Sequence, residues 1–166
     1  MKKTTIILDH NQINQKIKRI AYQIYEANSS EKEVVIAGIQ GNGVYFSKQL
    51  AKSLEQISSL KITLCEVFID KKNPLDKITT SIKSIDYYNK SILLVDDVLN
   101  SGTTLMYGIK YFLNVPLKRF KTAVLVNRNH KKYPVKADFK GISLSTSINE
   151  HVEVSFDEKN SKAFLM

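Results

Sequence analysis

Along this chain, short unbroken apolar runs alternate with stretches in which apolar residues recur every three or four positions. The first rhythm marks strands buried on both faces, the second amphipathic helices. Thr4–Leu8 is a short strand candidate ending at Asp9, which is placed to cap a helix over Asn11–Asn28. In that segment Ile13, Ile17, Ile20, Ala21, Ile24 and Tyr25 recur at helical spacing, and Lys16, Lys18 and Arg19 take the other face. Val34–Ala37 is a buried strand, followed by a glycine loop and a helix from about Val44 to Gln56. Ile62–Ile69 is the next strand, Asp70–Asp86 is polar and irregular, and Ile92–Val95 is a strand with no alternation. A helix over Thr103–Phe112, a strand over Thr122–Val126 and an alternating edge strand over His151–Phe156 complete the pattern. Strand and helix signals taking turns predict an α/β fold, and the absence of repeats or linkers predicts one domain over 1–166.

Composition narrows the class. The 166 residues are 43% hydrophobic, enough for a real core. No apolar run approaches the roughly 20 residues of a membrane span, and the amino end lacks the shape of a signal peptide. A cytoplasmic protein with no membrane partner is therefore expected. The single cysteine, Cys65, lies inside a strand candidate and reads as a small core residue. The net charge of +9 is concentrated. Lys110, Lys118, Arg119, Lys121, Arg128, Lys131, Lys132, Lys136 and Lys140 face only Asp138 as an acidic residue in that stretch. Such a field attracts polyphosphate substrates or RNA, although a lysine-rich solvated face explains it equally well.

The candidate chemistry begins where polarity interrupts the strand at Ile92. Asp96 and Asp97 place two carboxylates at its carboxyl end, where open α/β sheets bind ligands. They can accept from sugar hydroxyls or sit near a hard cation such as Mg²⁺. Ser101, Gly102, Thr103 and Thr104 then offer backbone N–H groups and hydroxyls at the start of a helix, where the dipole favours phosphate. A second loop, Gly38-Ile39-Gln40-Gly41-Asn42-Gly43, also follows a buried strand and precedes a helix. Three glycines in six residues suit a close approach to a pyrophosphate, or equally a tight structural turn. The spacing is not that of a dinucleotide fold.

The run Ile92–Leu105 resembles the phosphoribosyl pyrophosphate (PRPP) motif of type I phosphoribosyltransferases: hydrophobic strand, two acidic residues, two hydrophobic residues, a variable position, then Thr/Ser-Gly-x-Thr. Most of the chain resembles, within that superfamily, the pyrimidine-operon attenuation regulators that also act as uracil phosphoribosyltransferases. The similarity is carried by Ile7–Asp9, Arg19–Ala21, Glu26–Asn28, Gly38-Ile39 with Gly43 and Tyr45, Leu125–His130 and Pro134–Gly141. It implies a central, mainly parallel sheet flanked by helices, with a short hood over the site. It also implies transfer of phosphoribose to uracil or a related 6-oxo base, with Mg²⁺, in a homodimer or higher oligomer. Asp96 and Asp97 would be catalytic, contacting ribose and helping to place Mg²⁺. Asn100, Ser101, Gly102, Thr103 and Thr104 would join them in binding PRPP, and Gln40, Gly41, Asn42 and Gly43 would hold pyrophosphate. Val98, Asn127, Arg128, Phe139 and Lys140 would form the base pocket, with Phe139 against the ring.

The chain departs from the family at three places. The pyrophosphate loop typically reads Lys-Thr-Arg-Gly; here both cations are absent, and each lost contact is worth about 1.5–3 kcal/mol. Glu66 stands where arginine is usual, and Phe68–Tyr88 is shorter than the family's hood. Purine-specific relatives usually carry Asp at position 100, so Asn100 argues against purine chemistry. Three readings follow: a uracil-type phosphoribosyltransferase, an RNA-binding regulator on the same fold, and a catalytically weak PRPP or nucleotide sensor.

Overall fold

In the computed structural model, which describes residues 4–166, the apolar runs become strands and the periodic segments helices. The chain follows β1 (Thr5–Leu8), α1 (His10–Ala27), β2 (Glu33–Ile39), α2 (Asn42–Ile57) and β3 (Lys61–Phe68). It continues through the two-residue β4 (Thr79–Thr80), the single turn α3 (Ser84–Tyr87), β5 (Ser91–Leu99) and α4 (Thr103–Phe112). It ends with β6 (Arg119–Arg128), β7 (Phe139–Leu144), β8 (Val152–Ser155) and β9 (Lys162–Leu165). A six-stranded sheet has the order β4-β3-β2-β5-β6-β7, parallel except for β4, and a small antiparallel sheet has the order β1-β9-β8.

β5 shows why the runs do not alternate. Leu93 and Val95 face a core shared with α1 and α2, whereas Ile92 and Leu94 face a second core under α4. Both faces are dry, so both must be apolar. Ile13, Ile20 and Ile24 of α1 are fully buried in the first core, and each stabilises the fold by roughly 1.5–3 kcal/mol. This apolar face of α1 is core. Tyr25, expected on it, is instead 40% exposed, because the helix rotates it away from the sheet. Asp9 caps the helix as expected: its carboxylate accepts from the Gln12 N–H at 2.8 Å and the Gln12 side chain accepts from the Asp9 N–H at 2.9 Å.

The topology creates a crevice. From β2 the chain passes through α2 to β3 on one side, and from β5 through α4 to β6 on the other. Adjacent β2 and β5 therefore send their following loops in opposite directions, which opens the sheet at their carboxyl ends. One reading is corrected: Asp70–Asp86 is not irregular throughout, because it contains β4 and the start of α3. Among the described residues no helix is long and apolar enough to cross a membrane.

Candidate active site

β5 stays paired with β6 past its apolar run, Asp96 lying opposite Val124 and Val98 opposite Val126. The two carboxylates thus stand on rigid strand at the crevice floor. Asp96 is buried. Its carboxylate accepts from the Asp97 N–H at 2.9 Å and from Lys71 Nζ at 3.3 Å. Burial pushes the Asp96 carboxyl up to about 7; the neighbouring Asp97 charge adds to this, and the Lys71 ammonium opposes it. Asp97 is half-buried. Its Oδ1 accepts from the Val98 N–H at 2.9 Å and its Oδ2 from Asn42 Nδ2 at 2.9 Å. The same Asn42 nitrogen donates to the Val154 carbonyl at 2.8 Å. One side chain of the loop after β2 therefore ties together Asp97 and β8.

After Leu99 the chain turns through Asn100–Gly102 into α4. Gly102 takes a φ of +84° and a Cβ there would collide with Val135, so glycine alone fits. The Ser101 carbonyl accepts from the Lys132 and Tyr133 N–H groups at 2.7 and 3.1 Å, which anchors the turn. The Ser101 and Thr103 hydroxyls lie 2.8 Å apart. The first-turn N–H groups of α4 have no intrahelical acceptors and open towards a cleft of about 220 Å³. Its walls are Lys71, residues 96–105 and Val152. In the loop after β2, Gly41 has a φ of +89°. The first turn of α2 packs directly on β5: a Cβ on Gly43 would lie 2.8 Å from the Val95 carbonyl and 3.3 Å from Asp96 Oδ1.

A second pocket adjoins the cleft, lined by Asn100, Ser101, Arg128, His130, Ile148, His151 and Val152. Arg128 is buried and donates to Asn100 Oδ1, Thr146 Oγ1 and the Glu150 carbonyl at 2.9, 3.0 and 2.6 Å. His130 Nε2 meets the Thr146 carbonyl. Of the expected base-pocket residues, Val98 and Arg128 line this region, whereas Phe139 and Lys140 do not. Phe139 pairs with Ala123, three residues before the level of Val126 and Ile142, about 10 Å back along the sheet. Its ring packs against the α1 core, and the Lys140 carbonyl accepts from Arg19 at 3.1 Å. Asn127 sits at the strand end, its Nδ2 donating to Ser143 Oγ at 3.2 Å and its buried Oδ1 without a partner.

Four lining residues escaped the sequence reading: Lys71, Ile148, His151 and Val152. The alternation of His151–Phe156 signalled an edge strand but not what its end faces. Lys71 follows β3 at the same sheet end as the carboxylates, and it supplies a cation where Glu66 does not. Part of the basic run is paired, mostly at the surface. Lys118 pairs with Glu31 at 2.8 Å, Lys121 and Lys136 with Asp138 at 3.9 and 3.5 Å, and Arg119 donates to the Ala27 carbonyl.

Residues 3–159 match the phosphoribosyl transferase domain family. The chain is 33% identical to the bifunctional protein PyrR of Bacillus subtilis (strain 168), over 95% of this chain and 93% of that protein. It is 35% identical to the bifunctional protein PyrR of Streptococcus equi subsp. equi (strain 4047), over 94% and 92%. The hypoxanthine phosphoribosyltransferase of Trypanosoma cruzi has the same fold, with a TM-score of 0.77 at 15% identity, covering 96% of this chain and 95% of that one.

Proposed function

Since the chain belongs to the phosphoribosyl transferase domain family and to its bifunctional PyrR relatives, we propose that it transfers phosphoribose from PRPP to uracil. One observation carries this reading: a buried carboxylate pair and the open N-terminus of α4 share one cleft, and Asn42 joins the loop after β2 to that pair.

In this reading the N–H groups and hydroxyls of Ser101, Thr103 and Thr104, with Gly102, hold the 5′-phosphate. Asp96 and Asp97 accept from the ribose hydroxyls and fix the sugar over the strand end. The N–H groups of Gly41–Gly43 face the departing pyrophosphate, the Gln40 N–H being donated to the Val67 carbonyl at 2.9 Å. Asn42 keeps the Asp97 carboxylate in one orientation. The reaction is a substitution at the anomeric carbon through an oxocarbenium-like state, so the site contributes placement and charge rather than a covalent nucleophile.

Asp96 and Asp97 are the donors suited to Mg²⁺, and the Lys71 ammonium beside Asp96 marks where positive charge is favoured. Among the described residues no third His, Cys, Asp or Glu joins them, so substrate oxygens and water would supply the remaining ligands. When bound, Mg²⁺ neutralises charge on the pyrophosphate. The test is formation of uridine 5′-monophosphate from PRPP and uracil. Turnover that disappears in Asp97→Ala supports the reading; binding of PRPP without turnover for any base supports a sensor instead.

A regulatory second activity, RNA binding, is implied by the resemblance to pyrimidine-operon attenuation regulators, and the relatives' description as bifunctional is consistent with a second activity. It predicts salt-sensitive retention of a structured RNA. Lys118 and Lys121 sit in partly exposed surface ion pairs, so their loss is expected to weaken RNA retention with little effect on stability, whereas Arg119 donates to the Ala27 carbonyl and its loss is expected to act on stability first.

A further inference from the structure

Among the described residues, α4 is the long helix whose outer side is not polar. Leu105, Gly108 and Phe112 bury its inner side, and Lys110 is the single charge among its ten residues. Met106, Ile109 and Leu113, spaced i, i+3 and i+7, form a second apolar stripe on its outer flank, and Leu113 is 62% exposed. The other two long helices turn charge outwards instead, Lys18 and Arg19 on α1, Lys48 and Lys52 on α2. A helix that is apolar on both sides has a face left to cover.

Tyr133 completes a groove of about 410 Å³ along this stripe, together with Tyr107 and Lys110. The groove is preformed. The Tyr133 N–H donates to the Ser101 carbonyl at 3.1 Å, and the Tyr133 ring meets that of Tyr107 edge-on, centroids 6.4 Å apart, so an occupant orders little of the wall. The rim is positive: Lys110 lines it, and Lys132 Nζ lies 5.7 Å from the centre of the Tyr133 ring. Among the described residues neither lysine is in an ion pair. The sequence has no acidic residue between Asp97 and Asp138 to supply a carboxylate locally.

We propose that this groove seats an acidic amphipathic helix of a protein partner. Apolar side chains along one side of such a helix fill the space between the Met106–Ile109–Leu113 stripe and the two tyrosine rings, and carboxylates along its edges meet Lys110 and Lys132. A second copy of this chain fits less well. Two-fold symmetry sets the same patch against itself, so Lys110 and Lys132 would face their own counterparts with no carboxylate between them. Charge thus selects against self-association at this face and for an acidic partner.

The probe is a fluorescent helical peptide with leucines on one side and glutamates on the other, added to the full chain and followed by anisotropy. Its controls are a peptide of the same composition in scrambled order and one with lysine in place of each glutamate. Saturable binding of the acidic peptide alone is expected, weakened about tenfold or more by Leu113→Glu and by Lys110→Glu. Both positions are exposed, so melting temperatures close to that of the wild type should show both variants folded. No saturable binding, equal binding of either control, or binding untouched by both variants overturns the proposal. A wild-type dimer that Leu113→Glu converts to monomer in light scattering also overturns it and gives the face to a second copy. Polyadenylate bound more tightly than the peptide, and lost in the same two variants, overturns it in favour of RNA.

Discussion

Asp96 gains its character from its place on the strand. Burial opposes its charge more strongly than Lys71 supports it, so its carboxyl titrates near 7 in the folded protein against 3.8 when free. Folding therefore favours the protonated form. That contribution to stability is complete below about pH 4 and is lost as pH rises through 7. Asp96→Asn removes the buried charge. In Mg²⁺-free buffer at pH 8 it is expected to raise the melting temperature by several degrees, and the difference should close near pH 4. Calorimetric melting across that range checks it, and a gap that does not change with pH would exclude the charge as its cause. Lys71 is the counterpart. The pyrophosphate loop has no cation of its own, and this ammonium lies in the same cleft. Lys71→Ala is expected to raise the KM for PRPP by about tenfold, the loss of one charge-assisted contact. An unchanged KM would reduce Lys71 to a partner of Asp96.

At the scale of elements, caps and packing surfaces were written plainly. Asp9, the isoleucine spacing of α1 and the Thr103–Phe112 helix follow directly from residue types, because a cap, a stripe and a helix start are local events. Asp9→Ala is expected to cost about 0.5–2 kcal/mol, measured by urea unfolding, because it leaves the first-turn N–H groups of α1 without the carboxylate. β7 and β9 were not legible. Phe139–Leu144 carries Lys140, Gly141 and Ser143, a mixed pattern on a sheet edge, and what makes it a strand is its register on β6. The four residues of β9 acquire their role from β1 and β8, more than 150 and about ten residues away respectively. The PRPP-like run was legible in full because it is contiguous, whereas the pocket beside Arg128 is assembled from the ends of β5, β6 and β8. A motif reading placed Phe139 against a base, but strand register places it in the core. Gly102→Ala tests the turn itself. With φ at +84° and Val135 in the way, it is expected to destabilise the protein by more than about 1 kcal/mol and to weaken PRPP binding.

At the scale of the whole molecule, the order of the strands brings the pieces together. Asn42 at the start of α2 and Asp97 on β5 are 55 residues apart, yet they touch because β2 and β5 are adjacent in the sheet. The small sheet then closes one side of the cleft through Val152 and receives Asn42 at Val154. Similarity to the purine enzyme extends to the fold. The central claim is that the crevice holds PRPP. It is tested most directly by calorimetric titration of PRPP with Mg²⁺ into wild type and into Asp96→Ala/Asp97→Ala. Saturable binding in the wild type, reduced at least about tenfold in the double variant, is the predicted result. Equal heats from both proteins, or none from either, would contradict the account.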